Sequence, residues 1–295
     1  MKLVVLGSPD SWYFKDLERA AAGRHQLVSA TFSDLASAVT TGGITAHSAD
    51  IDLVQADCVL VRTMPPGSLE QVVFRMDVLA RIEAAGVPVI NPPRAIETAV
   101  DKYLGSAKLA EAGLRVPRTL VCQSVEAAMA ALEQLGGDVV VKPLFGAEGR
   151  GITRLNDEAL ALRAFKMLSQ LGAVLYLQEF IEHEGCDLRL LVVGERVLGM
   201  RRSSGHDWRT NISRGAKAEP IKVTSELADL ARRAASAVGG PLAGVDLLPG
   251  RDGQLYAIEV NAVPGWKALA RALDLDIASL VLEFLEGIVG GRMSG

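Results

Sequence analysis

Near the C-terminus two short apolar runs, Leu242 to Leu248 and Leu255 to Val260, carry Asp246 and Glu259 with Asn261 close behind. If both are strands, side chains alternate between faces, so Tyr256, Ile258 and Val260 cover one side while Glu259 and Asn261 share the other. The intervening Pro249 to Gly253 is turn chemistry, and the resulting hairpin brings Asp246 close to Glu259. Two carboxylates and an amide oxygen on apolar strands repel one another and resist burial unless a cation lies between them. Hard oxygen ligands of this kind suit magnesium shared with a nucleotide phosphate. A solvated acidic face on an exposed hairpin remains the competing reading.

Other segments carry complementary chemistry. Lys142 ends a strand-like run and is followed by a loop with Gly146, Gly149 and Gly151. Such glycines let backbone amides approach an anion, to which the lysine adds charge; a plain tight connection is the alternative. The run from Val174 to Ile181 places Gln178, Glu179, Phe180 and Ile181 where an apolar slot edged by hydrogen-bonding groups would suit an adenine ring. Asp187 and Arg189, two apart on one strand face, suit ribose hydroxyls and phosphate, or a structural ion pair. Arg201, Arg202, Arg209, Arg214 and Lys217 crowd with Trp208, Asn211 and Ser213 into one short stretch. In a chain acidic overall, that concentration points to an anionic ligand, with a solvated basic loop as the alternative. The histidines at 25, 47, 183 and 206 lack metal spacing, and no G-x-S-x-G, P-loop or G-x-G-x-x-G motif occurs.

The elements that must hold these residues need room. The chain has 295 residues, 49% of them hydrophobic, enough for two or three packed units. Its net charge of −4, from 31 basic and 35 acidic residues, provides no global positive field for nucleic acid. Three cysteines far apart suit a reducing compartment, and the N-terminal apolar run is too short for a signal peptide, so a cytoplasmic protein without a membrane partner is expected. Runs at 3–6, 58–62 and 87–90 alternate with a helical stretch at 69–85, predicting a small parallel α/β unit. Asn91 to Pro93 looks like a boundary, and the expected division is 1–97, 98–183 and 184–295. The spacing of Tyr103, Ala107, Ala110 and Leu114 predicts one buried helical face, and Ile277, Val281, Leu285 and Ile288 predict a last helix docked on the body.

Taken in order, these segments resemble the ATP-grasp superfamily and, within it, the RimK-like amino-acid ligases. The likeness runs from about Asn91 to Gly265 through Asp101-Lys102, Val141 to Leu144, Gln178 to Ile181, Gly185 to Arg189, Asn211 to Gly215, Gly244 to Leu248 and Glu259 to Gly265. It implies an α/β fold of ATP-grasp type: an N-terminal parallel unit followed by two α+β units clasping ATP. The same resemblance implies that Lys102 and Lys142 meet ATP phosphates beneath the loop of Gly146, Gly149 and Gly151. Gln178, Glu179, Phe180 and Ile181 would line the adenine site, and Asp187 would bind ribose with Arg189 nearby. Arg209, Thr210 and Asn211 would lie near the nucleotide. Asp246, Glu259 and Asn261 would hold magnesium, or manganese in its place. In such ligases a carboxylate takes the γ-phosphoryl group and an amine then displaces phosphate; Arg202 and Arg214 are the residues expected to steady the acyl phosphate.

The chain departs from the commoner pattern at Arg214-Gly215-Ala216 and at Trp266-Lys267. The second pair is similar to members that add glutamate to pterin or furan one-carbon cofactors, and Trp266 would then stack on a flat ring or else belong to the core. The expected activity is therefore attachment of glutamate or a similar amino acid to a small cofactor. A ligase acting on a protein or carrier-protein terminus and a nucleotide-binding regulator without turnover are the alternatives. A homo-oligomer is open on the sequence alone.

Overall fold

The structure, a computed structural model, describes residues 1–146, 150–205, 208–209 and 216–292. Gly149, Thr210, Asn211 and Arg214 lie outside the described residues.

The chain begins with β1 (Lys2–Leu6), α1 (Trp12–Ala21) and β2 (Gln26–Ala30), then β3 (Leu35–Thr40), β4 (Gly43–Ser48) and β5 (Ile51–Asp52), then β6 (Cys58–Val61), α2 (Leu69–Ala84) and β7 (Val89–Ile90). Strands β2, β1, β6 and β7 form the expected parallel sheet in that order. β1 and β6 are buried almost throughout, as continuous apolar runs covered on both faces should be. Ser11 caps α1, and a capping box of Ser68 and Gln71 opens α2. β3, β4 and β5 add a small antiparallel sheet that the sequence reading does not contain, because β3 is mostly exposed and its Ala, Ser and Thr residues leave no apolar alternation.

Next come α3 (Pro93–Val100), α4 (Lys102–Glu111), β8 (Thr119–Cys122), α5 (Val125–Gln134), β9 (Val139–Lys142), β10 (Thr153–Leu155), α6 (Glu158–Gln170) and β11 (Leu175–Glu179). The antiparallel sheet β10-β9-β11-β8 and its helices α5 and α6 enclose a core of their own around Leu132, Phe165, Leu175 and Leu177. On α4 the predicted face is corrected. Tyr103 is 56% exposed and Ala110 is exposed too, whereas Leu109 is buried. Gly105, Ser106 and Leu109 turn toward Lys142, Tyr176 and Glu259, so small and polar residues occupy part of the inward side and disguise the helical period.

The last part holds β12 (Cys186–Val193), β13 (Arg196–Ser203), β14 (Lys217–Pro220), α7 (Ser225–Val238), β15 (Leu242–Pro249), β16 (Leu255–Asn261), α8 (Lys267–Leu273) and α9 (Ile277–Arg292). Its five-stranded antiparallel sheet runs β14-β13-β12-β15-β16. Strict alternation fails in β16. Asp246 pairs with Glu259 but Leu247 pairs with Ala257, leaving Ile258 as the extra residue of a β-bulge. Ala257 and Val260 therefore both enter the core, and Ile258 moves to the side of Glu259.

One apolar cluster joins the first and last parts of the chain, uniting Leu3, Leu17 and Leu60 with Trp266, Val281 and Leu285. Trp266 is wholly buried, its indole N–H donates to Asp16 at 3.0 Å, and its ring lies under Arg62 at 4.3 Å. It belongs to the core, and no ligand can stack on it. Asn91 fastens the same junction by donating to the carbonyls of Leu242 and Ala262 and accepting from Leu242 N.

Candidate functional site: a charged cleft beside an apolar chamber

The central sheet and the C-terminal sheet face each other across a cleft with about 760 Å³ of empty volume. Its polar wall is Lys142, Gln178, Asp187, Arg202, Arg209, Asp246 and Glu259; its apolar wall includes Val140, Ile152, Phe180, Ile181, Leu248 and Ile258. Strand register brings most of the charged ones together: Asp187 stands opposite Arg202, Arg189 opposite Asp246, and Asp246 opposite Glu259.

That register builds an alternating chain of charge. Arg202 donates Nε and Nη2 to the two oxygens of Asp187 at 2.7 and 2.6 Å, and Nη2 also lies 3.1 Å from Asp246. Arg189 Nη1 donates to Asp246 at 2.7 Å. Burial by itself would raise the Asp246 pKa, but the two guanidinium groups outweigh it and hold the carboxylate ionised. Gly244 leaves room for this pair, because a Cβ at that position would overlap the Arg189 guanidinium and displace it.

Glu259 is placed differently. Burial, then the neighbouring Asp246, raise its pKa, while Lys102, Lys142 and Arg189 oppose the shift. Among the described residues its carboxylate takes no hydrogen bond and no ion pair. Lys142 is 8% exposed, and burial lowers its pKa to about 8. Its ammonium donates to Gln178 Oε1 at 2.6 Å; Gln178 Nε2 in turn donates to Thr119 Oγ1 at 3.1 Å and to the hydroxyl of Tyr176 at 3.3 Å, which meets Ser106. This polar chain, not an isolated lysine, fixes the ammonium at the cleft.

The aromatic end is built by Phe180, whose ring packs edge-on to Trp208 at 5.8 Å and is covered by Arg154 at 3.4 Å. Glu179 lines the cleft, yet its carboxylate is taken by Arg118 through the backbone N at 2.7 Å and Nε at 2.6 Å. Pro117, Val140, Ile152, His183, Trp208, Leu248 and Ile258 complete the walls. The sequence assigns none of them to a ligand site, and Val140, Ile152 and Leu248 carry no spacing signal; only a strand-by-strand count of inward positions would have found Val140 and Leu248.

Lys102 sits at the start of α4 in a narrow crevice with Lys142 and Glu259, its ammonium donating to the carbonyl of Gly146 at 2.7 Å. Gly151 has a left-handed φ of 73°, and a Cβ there would press on Pro143 at 2.8 Å. Asn261 is not among the residues lining the charged cleft. Its Oδ1 accepts from Val263 N at 2.8 Å, and it lines a second, larger chamber of about 1570 Å³. Glu259 belongs to the walls of both spaces.

No group of three or more His, Cys, Asp or Glu side chains suited to a metal occurs among the described residues. Asp246 and Glu259 still fit a hard divalent cation, since a half-buried carboxylate without a partner among the described residues faces an ionised one across a strand pair. Two protein carboxylates suit an ion that completes its shell with phosphate oxygens and water.

Residues 99–285 match the RimK-like ATP-grasp domain. The chain is 36% identical over 270 residues to tetrahydromethanopterin:alpha-L-glutamate ligase of Methanosarcina acetivorans, a match covering 81% of this chain and 83% of that relative. Among solved structures it is similar to the ATP-grasp ligase PsnB complexed with a minimal precursor, with a TM-score of 0.76, 26% identity and coverage of 96% and 97% of the two chains. The same ligase with precursor, Mg and ADP superposes with a TM-score of 0.76 at 24% identity over 97% of each chain, a likeness of fold. With the domain match spanning most of its length, the chain belongs to the RimK-like ATP-grasp family.

Proposed function

We propose that this chain is an ATP- and magnesium-dependent carboxylate–amine ligase that attaches glutamate to a pterin-type carboxylate. The observation that carries the reading is Glu259, which forms a common wall between a charged cleft shaped for a nucleotide and an apolar chamber large enough for an organic acceptor. The name of the relative from Methanosarcina acetivorans supplies the two substrates.

In this reading Phe180, Ile181 and Leu248 hold the adenine, with the backbone beside Glu179 at its edge. Asp187 faces the ribose, and Lys102 and Lys142 meet the phosphates together with the loop of Gly146, Gly149 and Gly151. The cation, magnesium or manganese, neutralises charge on the transferring phosphoryl group when bound. Asp246, Glu259 and Asn261 would hold it, with Arg189 orienting Asp246. The acceptor carboxylate, lying at the Glu259 wall, takes the γ-phosphoryl group to give ADP and an acyl phosphate. The glutamate amine then attacks the acyl carbon, releasing phosphate and a proton and leaving an amide. Arg202 already spends its Nε and Nη2 edge on Asp187 and Asp246. Steadying the acyl phosphate is left to its Nη1 and to Arg214, while Arg209, Thr210 and Asn211 stay near the nucleotide.

The division at 1–97, 98–183 and 184–295 serves this scheme, although Leu109 of α4 packs in the core of the third unit. The cysteines at 58, 122 and 186, none of them in a disulfide, suit the reducing cytoplasm. No described helix is long and apolar enough to cross a membrane.

The test is ADP release from the purified chain with ATP, magnesium, glutamate and a panel of carboxylates, with mass spectrometry of the products. A pterin carboxylate gaining one glutamyl residue is the expected result. Turnover confined to a polypeptide terminus would replace the acceptor class, and no ADP with any acceptor would point to a nucleotide-binding regulator.

A further inference from the structure

The larger chamber is walled by Met64, Pro65 and Pro66 after β6, by Val100 of α3, and by Phe145 and Gly146 of the glycine loop. Phe145 is 62% exposed, although a phenyl ring in water forgoes the transfer energy it would gain by burial. It is also held in place. The backbone N of Lys102 donates to the carbonyl of Leu144 at 3.3 Å, and Lys102 Nζ donates to the carbonyl of Gly146, so one residue fastens the chain on both sides of Phe145. An exposed aromatic on an anchored backbone, facing an open chamber, is a preformed contact surface.

The polar groups of the chamber decide what fits. Its walls offer Glu97, Glu259 and Asn261 but no described lysine or arginine, so nothing there would hold the body of a polyanion. Resting on the ligase reading, we propose that Phe145 is an acceptor-binding residue: it packs against a flat, uncharged portion of the acceptor, opposite Pro65 and Pro66, while the acceptor carboxylate lies toward Glu259. Phe145 thereby selects acceptors whose carboxylate is borne on a planar apolar body over small polar acids. Phe145 is absent from the walls of the charged cleft, and its effect is expected on acceptor binding, with ADP affinity as the control.

Pteroate, a pterin joined to a benzoate carboxylate, is a suitable probe, titrated by calorimetry into the full chain saturated with ADP and magnesium. Phe145→Ala should weaken pteroate binding by roughly three- to tenfold, the range of an aromatic packing contact, and Phe145→Trp should restore it. Phe74→Ala, which removes an exposed phenyl outside the chamber, should leave it unchanged. Affinity for ADP should be the same in all four proteins. Equal pteroate affinity in wild type and Phe145→Ala, absence of pteroate binding to wild type, or a parallel loss of ADP affinity would overturn the proposal. The ligase reading is judged separately by ADP release: binding that depends on Phe145 without turnover defeats the reading and spares the inference, and turnover indifferent to Phe145 does the reverse.

Discussion

Glu259 and Lys142 are held in the cleft for different reasons, and their variants should fail differently. Glu259→Gln removes a carboxylate that has no described partner, so circular dichroism should show an unchanged fold while turnover falls at least about a hundredfold, the loss expected when a metal ligand disappears. Turnover near the wild-type level would remove Glu259 from the site. Lys142 is an ammonium held in a place that disfavours its charge, with a pKa of about 8 in the folded state. A lysine whose folded pKa is depressed carries its full penalty below that value and sheds it as pH rises toward the unfolded value near 10.5. Lys142→Met should therefore relieve that penalty and raise the stability of the nucleotide-free protein at pH 7, less the cost of leaving Gln178 Oε1 without its donor. That advantage should shrink between pH 8 and 10 in denaturant titrations, and ATP affinity should drop at every pH. A variant that is both less stable and still binds ATP would contradict this account. Gly244→Ala makes a third case. By pushing Arg189 off Asp246 it should raise the magnesium concentration needed for half-maximal activity, measured at saturating ATP.

Among the elements, β16 shows what the sequence could and could not convey. The hairpin, its turn and the pairing of Asp246 with Glu259 follow from the apolar runs and from Pro249 to Gly253. The bulge at Ile258 does not follow, because one inserted residue changes the facing of its neighbours without changing their types. The distinction can be measured. Val260→Ala should cost about 2 kcal/mol of stability and leave the KM for ATP alone, since Val260 is core. Ile258→Ala should raise that KM severalfold at little cost in stability, since Ile258 lines the cleft proposed to hold the nucleotide. Unbroken alternation would put Ile258 on the core face beside Val260, and both substitutions would then cost stability and leave that KM alone. On α4, likewise, the start at Asp101 and the stop near Gly113 are visible in residue types, but the inward face is not, because Gly105 and Ser106 lie against functional groups. The Asp187–Arg202–Asp246–Arg189 chain was legible only as separate residues on separate strands; their joining depends on a register that no local pattern encodes.

For the molecule as a whole, the arrangement of its cores sets what moves and what does not. The central sheet closes its own interior, whereas the first and last parts of the chain share theirs through Trp266, α8 and α9. Trp266→Ala should cost about 3 to 5 kcal/mol and destabilise both of those parts in one transition, detectable by hydrogen exchange at β1 and at β12 together. Trp266→Phe, which keeps the ring but loses the bond to Asp16, should leave acceptor KM unchanged, because the ring meets no ligand. The same shared interior has a consequence for synthesis. On a ribosome the residues of α8 and α9 that pack behind β1 emerge long after it, so the opening hundred residues must wait, incomplete and with apolar surface uncovered, until those helices have left the exit tunnel. Premature termination anywhere before α9 should leave them prey to proteases and chaperones instead of yielding a smaller folded product.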